Sequence, residues 1–336
     1  MKSIRKKITV SLMATVLIAL IAVGSSSITL NYRSTLATVK EMMSETTVLA
    51  AERIEQELSA YKNVAVDTGR IPQLSDKEVS LEEKRAIIDE RVNMHGFRRG
   101  NIINSDGYSI FDGKDYSDRE YVQQAMQGNV YVSEPLVSKV TGELSIMVAA
   151  PIYAGGDGSS DIVGVVYFVP QETFLNDIVS SIKLSDSCHA YMLNKSGDTI
   201  ADTTLETITT QNIEDEAKND ASLQGLAALH KKMCEGKSGF GSFSRDKEKR
   251  FLAYAPVGGT DGWSVAVTAL KTDYLADTYF GMIINLIVIA ASILASIVVA
   301  LKLSNNISVP MRACAARMKL LTEGDLSSPI PQVTGR

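Results

Sequence analysis

The chain has 336 residues, 45% hydrophobic and 22% charged, with a formal net charge of −5 at pH 7. That balance is that of an ordinary globular protein, and an acidic pI near 5.4 excludes the basic face a nucleic-acid partner needs. Three cysteines are too few for a disulfide framework, and three scattered histidines have no metal-ligand spacing, so neither a metal nor a cofactor is expected.

Two apolar stretches, 8–30 and 279–301, bracket the chain. Each holds about 23 residues, enough at about 1.5 Å rise per residue to cross a hydrocarbon core of about 30 Å. Lys2, Arg5, Lys6 and Lys7 precede the first, and Lys302, Arg312, Arg317 and Lys319 follow the second. Basic flanks stay on the cytoplasmic side, which predicts a two-pass protein of the cell membrane. Residues 1–7 and 302–336 are then inside and 31–278 outside. A secretory signal peptide is the other reading of the first stretch, with 10–23 as its apolar region and Ser25, Ser26 and Ser27 behind it. In both readings the middle segment is extracytoplasmic.

Residues 31–67 continue the first stretch as a helix. Leu36, Val39, Met43, Thr46, Ala50, Ile54, Leu58, Tyr61 and Val64 recur at spacings of three and four, leaving acids and lysines on the other faces. Together with the span this predicts a rod of about 60 residues, about 90 Å long. After the Ile71-Pro72 break and a helix over 81–94, the pattern changes to strands. Segments 100–104, 108–111, 130–132, 144–153 and 162–169 are rich in Val, Ile and Tyr and bounded by Gly, Asp and Ser, which predicts a five-stranded antiparallel sheet closed by a helix over 171–183.

The order then repeats. Ile103-Asn104-Ser105-Asp106-Gly107 is echoed by Leu193-Asn194-Lys195-Ser196-Gly197, Ala149-Ala150-Pro151-Ile152 by Tyr254-Ala255-Pro256-Val257, and Gly164-Val165-Val166 by Trp263-Ser264-Val265. The expected fold class is α+β: two tandem PAS-like antiparallel modules, 71–184 and 185–278, on a long N-terminal helix. Trp263, Tyr254 and Phe251 are expected to pack the second sheet. Cys188 and Cys234 both fall outside, where a bridge between them and two small buried hydrophobes are both open readings.

This layout resembles the double Cache sensor domain of bacterial transmembrane receptors. Similar local text includes Asp115-Tyr116-Ser117-Asp118-Arg119-Glu120-Tyr121, Gln127-Gly128, Ser133-Glu134-Pro135 and Val140-Thr141-Gly142-Glu143. The resemblance covers about residues 31–275 and implies a membrane-distal module (71–184) carrying the ligand pocket and a membrane-proximal one. Beyond the second span, Asn306-Ile307-Ser308-Val309-Pro310 and Glu323-Gly324-Asp325-Leu326 resemble the first helix and connector of a HAMP domain. The resemblance implies a homodimer and an output in chemotaxis, as in methyl-accepting chemotaxis proteins with their kinase and coupling protein. A histidine kinase or a diguanylate cyclase is the alternative output.

Ser117 and Glu120 have the spacing of a capping box, which predicts a helix through about Met126 with Arg119 in its first turn, where a guanidinium can bind a carboxylate. Pairing of Arg119 with Asp118, Glu120 or Gln123 on a solvated face is the competing reading. Family members that bind amino acids hold the ammonium with tyrosine and aspartates; here Leu136, Ser138 and Val169 occupy the expected positions. A buried ammonium without a carboxylate partner costs several kcal/mol, so an α-amino acid is disfavoured. The expected pocket has one cation (Arg119), hydroxyls (Tyr108, Ser109, Tyr116, Tyr121, Tyr131, Ser133) and apolar walls (Phe111, Val122, Val148, Ala150, Val169), suited to a small organic acid or polar solute. A different class of function is a receptor docking a ligand-loaded binding protein. Nothing in the sequence offers a nucleophile, base and orienter set or a phosphate loop, so no enzyme is expected within these residues.

Overall fold

The structure is a computed structural model that describes residues 2–171, 174–323 and 329. In chain order it runs α1 (Lys2–Gly69), α2 (Pro72–Ser75), α3 (Leu81–His95), β1 (Arg99–Asn104), α4 (Glu120–Met126), β2 (Tyr131–Val132), β3 (Leu136–Val137), β4 (Leu144–Ser145), β5 (Val148–Tyr153), β6 (Ile162–Val169) and α5 (Phe174–Ser181). A second set follows: β7 (His189–Leu193), β8 (Thr199–Asp202), α6 (Ile213–Glu216), α7 (Gln224–Cys234), β9 (Gly239–Arg245), β10 (Glu248–Pro256), β11 (Ser264–Leu270) and α8 (Lys271–Thr322). The mixed fold of a long helix and antiparallel sheets is the one expected.

The chain forms two compact units, one of residues 39–273 and one of the segments before and after it. In the flanking unit, α1 and α8 are each long and apolar enough to cross a membrane. Only 6% of the first apolar window and 0% of the second is buried, whereas the core helix of a soluble protein is mostly buried. Ile18, Val23, Ile287 and Leu294 are all more than half exposed. An apolar surface of this extent suits a lipid environment. No proline precedes Pro72, so nothing breaks α1 before Gly69. Gly69, the last residue of α1, packs closely on β5, where a Cβ would lie 2.1 Å from the Pro151 carbonyl oxygen. Helix α8 passes through Pro310 and is described as far as Thr322; the Gly324-Asp325-Leu326 connector lies outside the described residues.

In the larger unit the first sheet has the order β1-β6-β5-β2 and the second β8-β7-β11-β10-β9, all antiparallel. The repeat is thus a topological one, with β7, β11, β10 and β9 standing for β1, β6, β5 and β2. Its turns coincide atom for atom. Asn104 Oδ1 accepts from the backbone of Asp106 and Tyr108 at 3.1 and 2.8 Å, and Asn194 Oδ1 from Ser196 and Asp198 at 2.9 and 2.8 Å. Gly107 and Gly197 both have φ of 88°, the left-handed region that a side chain disfavours.

Three expected elements differ. Residues 108–111 make only isolated bridges to β1 and a neighbouring loop, because Ser109 Oγ accepts from the Phe111 and Asp112 backbone and curls the chain. The expected strand over 144–153 divides into β4 and β5, since Met147 forms a two-way pair with Ser133 instead of extending the ladder. The capping box at Ser117 is not formed: α4 begins at Glu120 with Arg119 as its N-cap, and the Ser117 backbone is held by Asp115. A capping box does open α3, where Ser80 and Glu83 bond reciprocally.

Each sheet buries both faces. One face of the first sheet packs Ile102, Val148, Ala150, Val166 and Phe168 against Ala65 of α1, Ile88 of α3 and Phe97. The opposite face presents Ile103, Ala149, Val165, Tyr167 and Val169 to Tyr116 and to Tyr121, Val122 and Ala125 of α4. In the second module, Trp263, Phe251 and Tyr254 are buried, as packing residues would be. Cys188 and Cys234 are free thiols. Their sulfurs face the carbonyl oxygens of Ile182 and Asn194, at 3.6 and 3.8 Å. Burial, with Glu214 beside it, pushes the Cys234 thiol up to about 11, so it stays protonated at neutral pH.

Candidate functional site

The α4 face of the first sheet gathers the polar chemistry of that module. Strand parity decides its membership. Arg99, Asn101 and Ile103 alternate with Gly100 and Ile102, and they pair across with Val169, Tyr167 and Val165, so all six share one face. Tyr167 stands at its centre. Its ring lies 5.3 Å from that of Tyr121 at 64°, an edge-on geometry that suits aromatic quadrupoles, and 6.0 Å from that of Tyr116, tilted at 51°. Asn101 Nδ2 donates to Tyr167 Oη at 3.3 Å, and Ser109 Oγ donates to Asn101 Oδ1 at 2.9 Å. All three tyrosines are at most 2% exposed, and burial pushes each phenol above its usual range, so they act as neutral donors.

Two guanidiniums flank the rings. Arg99 Nη2 donates to Ser138 Oγ at 2.6 Å, and Arg119 Nη2 donates to the Val137 carbonyl at 3.3 Å, so adjacent residues tether both. Each retains free donors. Arg99 Nε is buried without a partner, and Arg119 Nε is 4.0 Å from Asp118, which is held instead by Lys139. Two nearby acids, Asp112 and Asp118, are already engaged. Asp112 accepts from Tyr116 Oη at 3.1 Å; burial pushes its carboxyl up, but hydrogen bonds from the Lys114 backbone, Ser109 and Tyr116 outweigh this and hold it below the usual range. Asp118 is 65% exposed.

The structure therefore brings Arg119, Tyr116, Tyr121, Val122, Tyr131 and Val169 to one face, with Ser109 and Ser133 bonded at its edge to Asn101 and Met147, and separates Tyr108, Phe111, Val148 and Ala150. Val148 and Ala150 are corrected to the opposite face, because Val148 pairs with Phe168 and not with Val169; the side chains alternate and the two sets cannot share a pocket. Phe111 also joins that opposite core, beneath the Arg85 guanidinium at 4.3 Å. Tyr108 is 47% exposed, Ser109 is an internal brace to Asn101, and Ser133 is bound to the Met147 backbone. Arg99, Asn101 and Tyr167 were absent from the expected set. The parity of β1 and β6 was sufficient to find them.

Two antiparallel sheet modules strung on one long helix, with a tyrosine-lined polar face under a short helix, define a tandem ligand-sensing domain. The chain belongs to the Cache domain family, whose dCache_1 form matches residues 29–278. No curated protein matches the chain. Among solved structures, the fold is similar to the ligand-binding domain of the amino acid chemoreceptor PctB of Pseudomonas aeruginosa PAO1, in complex with L-Arg. That likeness has 18% identity and a TM-score of 0.55, over 69% of this chain and 95% of the other. It is also similar to the ligand-binding domain of the Pseudomonas fluorescens chemoreceptor CtaA with L-isoleucine (14% identity, TM-score 0.56, 73% and 98% covered). A third likeness is to the extracellular domain of a protein described as a histidine kinase, rpHK1S-Z16 (15% identity, TM-score 0.57, 72% and 98% covered). Cache sensor domains are ligand-binding modules without catalysis, and with its two apolar helices this chain is a membrane receptor for an extracellular ligand.

Proposed function

We propose that the first module binds a small organic acid at its α4 face, as the membrane-distal sensor of a two-pass homodimeric receptor with both termini in the cytoplasm. Two guanidiniums with unused donors, beside three protonated tyrosines, with Asp112 and Asp118 already engaged, carry this reading. Arginine binds a carboxylate through paired hydrogen bonds that are shorter and stronger than neutral ones. The chemoreceptor neighbours above were solved with L-Arg and L-isoleucine, but the ammonium of an amino acid would find Val169 where a carboxylate would serve it.

Binding that draws α4 toward the sheet biases two arrangements of α1 and α8, and a coupling of about 1–3 kcal/mol suffices for a receptor. Helix α8 follows β11 without an intervening loop, a direct mechanical link from sheet to membrane. A HAMP segment from about residue 302 would pass the motion to a chemotaxis kinase and its coupling protein. The likeness to a histidine kinase's extracellular domain favours, as a second reading, a kinase output.

The test is a thermal-shift screen of the detergent-solubilised chain against small carboxylates, amino acids and sugars. A carboxylate should raise the midpoint, and Arg119→Ala should abolish the rise. A rise with amino acids alone would overturn the acid assignment.

A further inference from the structure

The second module contains a cavity of about 370 Å³ between its sheet and α7, within the size range of small-molecule sites. Parity again defines the wall. His189 and Tyr191 of β7, Thr268 of β11, Arg250 of β10 and Arg245 of β9 all project from the face that α7 covers. Leu226 of α7 and Phe243 of β9 supply an apolar side.

Its polar groups are unequally satisfied. Asp202 spends its charge internally: Oδ1 accepts from His189 Nε2 at 2.8 Å and from the Thr204 backbone at 2.7 Å. His230 is 2% exposed and shares one hydrogen bond, 2.7 Å, between Nε2 and Tyr191 Oη. With Tyr191 donating, Nδ1 carries the ring proton, and that atom is buried without a partner. Thr268, 4% exposed, likewise has a buried and unpartnered Oγ1. Both residues line the cavity. Buried polar atoms are nearly always bonded, so two orphans lining one cavity, one on α7 and one on β11, mark a place where a ligand atom belongs.

The guanidiniums add charge. Among the described residues, Arg245 pairs with Asp246, 3.9 Å away and 91% exposed, and Arg250 with Glu248 at 3.1 Å, 52% exposed. Exposed pairs of this kind are weak and exchange readily for a better-placed carboxylate.

We propose that the second module holds a ligand site of its own, taking a small hydroxy or oxo acid. The carboxylate lies against Arg245 and Arg250, the second oxygen meets Thr268 and His230, and the carbon body rests on Leu226 and Phe243. An amino acid is disfavoured because Asp202 is already committed to His189. This site stands apart from the one at α4 and does not depend on it.

Isothermal titration of the full chain in detergent with L-lactate, pyruvate, L-malate and 2-oxoglutarate tests the proposal. In Arg119→Ala protein, at least one acid should still bind. Adding Arg245→Ala and Arg250→Ala should weaken it at least tenfold, and Thr268→Val should weaken it severalfold. The fluorescence of Trp263, the chain's one tryptophan, reports whether each variant's second module is folded. No binding of these acids to the Arg119→Ala protein, or binding indifferent to the double arginine change, overturns the proposal. Loss on Arg119→Ala alone would assign the binding to α4.

Discussion

In the first sheet one cross-strand row reads Tyr131, Ala149, Tyr167, Asn101; in the second the equivalent row reads Gly239, Tyr254, Ala266, Tyr191. Large and small side chains alternate in both, in opposite phase. A large side chain beside a small one fills the space over each strand pair at close-packed density. Which strand carries the ring is free, and the choice has consequences. In the first module Tyr167 occupies the middle of the face beneath α4. In the second module Ala266 stands at that position and the ring has moved to Tyr254, toward Gly239, where a Cβ would lie 2.5 Å from its hydroxyl. Ala266 is packed in the core with Tyr191, Leu193, Leu226 and Tyr254, and the cavity beneath α7 opens further along the sheet, at Tyr191, His189 and Thr268.

The severest way to break this comparison is Tyr167→Ala. It removes a ring packed against two others, and chemical denaturation should show a loss of about 3–5 kcal/mol. A loss below 1 kcal/mol would mean that the rings do not hold α4 to the sheet.

Acid separates the modules next. Burial, with the Arg245 charge nearby, depresses His230 to about 4, so it is neutral when folded and takes up a proton more readily when unfolded. Its contribution is complete above pH 6.5 and is lost as pH falls from 6.5 to 4, up to about 3 kcal/mol in total. Asp112, depressed in the first module, costs stability only as pH falls through the carboxylate range. Melting followed by Trp263 emission should therefore weaken from pH 6.5 downward, before the first module responds. A Trp263 midpoint that is flat down to pH 4.5 would contradict the buried, neutral imidazole.

Ala266→Tyr should cost about 1–3 kcal/mol through overpacking of the core beneath α7, as read by chemical denaturation. Smallest are the paired turns. Asn104→Ala and Asn194→Ala should each cost about 1 kcal/mol, with Asn194 the costlier, because its Nδ2 also donates to Glu134 Oε2 of the first module at 2.9 Å. Equal losses would show that this link between modules is idle.

Much of this was legible in the residues. The two apolar stretches, the long helix, the tandem modules and the Asn-x-x-Gly turns all follow from composition and period. The site was legible only in part. Arg119 and the tyrosines stood out by type, but a list by type mixes the two faces of a strand, and Val148 and Ala150 entered it although their parity excludes them. The division at Met147 and the curl after Tyr108 were hidden because serine hydroxyls, Ser133 and Ser109, captured backbone donors from outside the ladder. The cavity of the second module was hidden for another reason: its lining comes from β7, β9, β10, β11 and α7, residues far apart in the sequence that only the strand register brings together.

Hydrogen exchange of the full chain in lipid nanodiscs, with and without the carboxylate that most raises the melting midpoint, tests the central claim most directly. The account predicts slowed exchange in peptides spanning 99–104 and 116–139, lost in Arg119→Ala. Unchanged exchange in both of those segments, with the carboxylate saturating, would contradict a ligand site at α4.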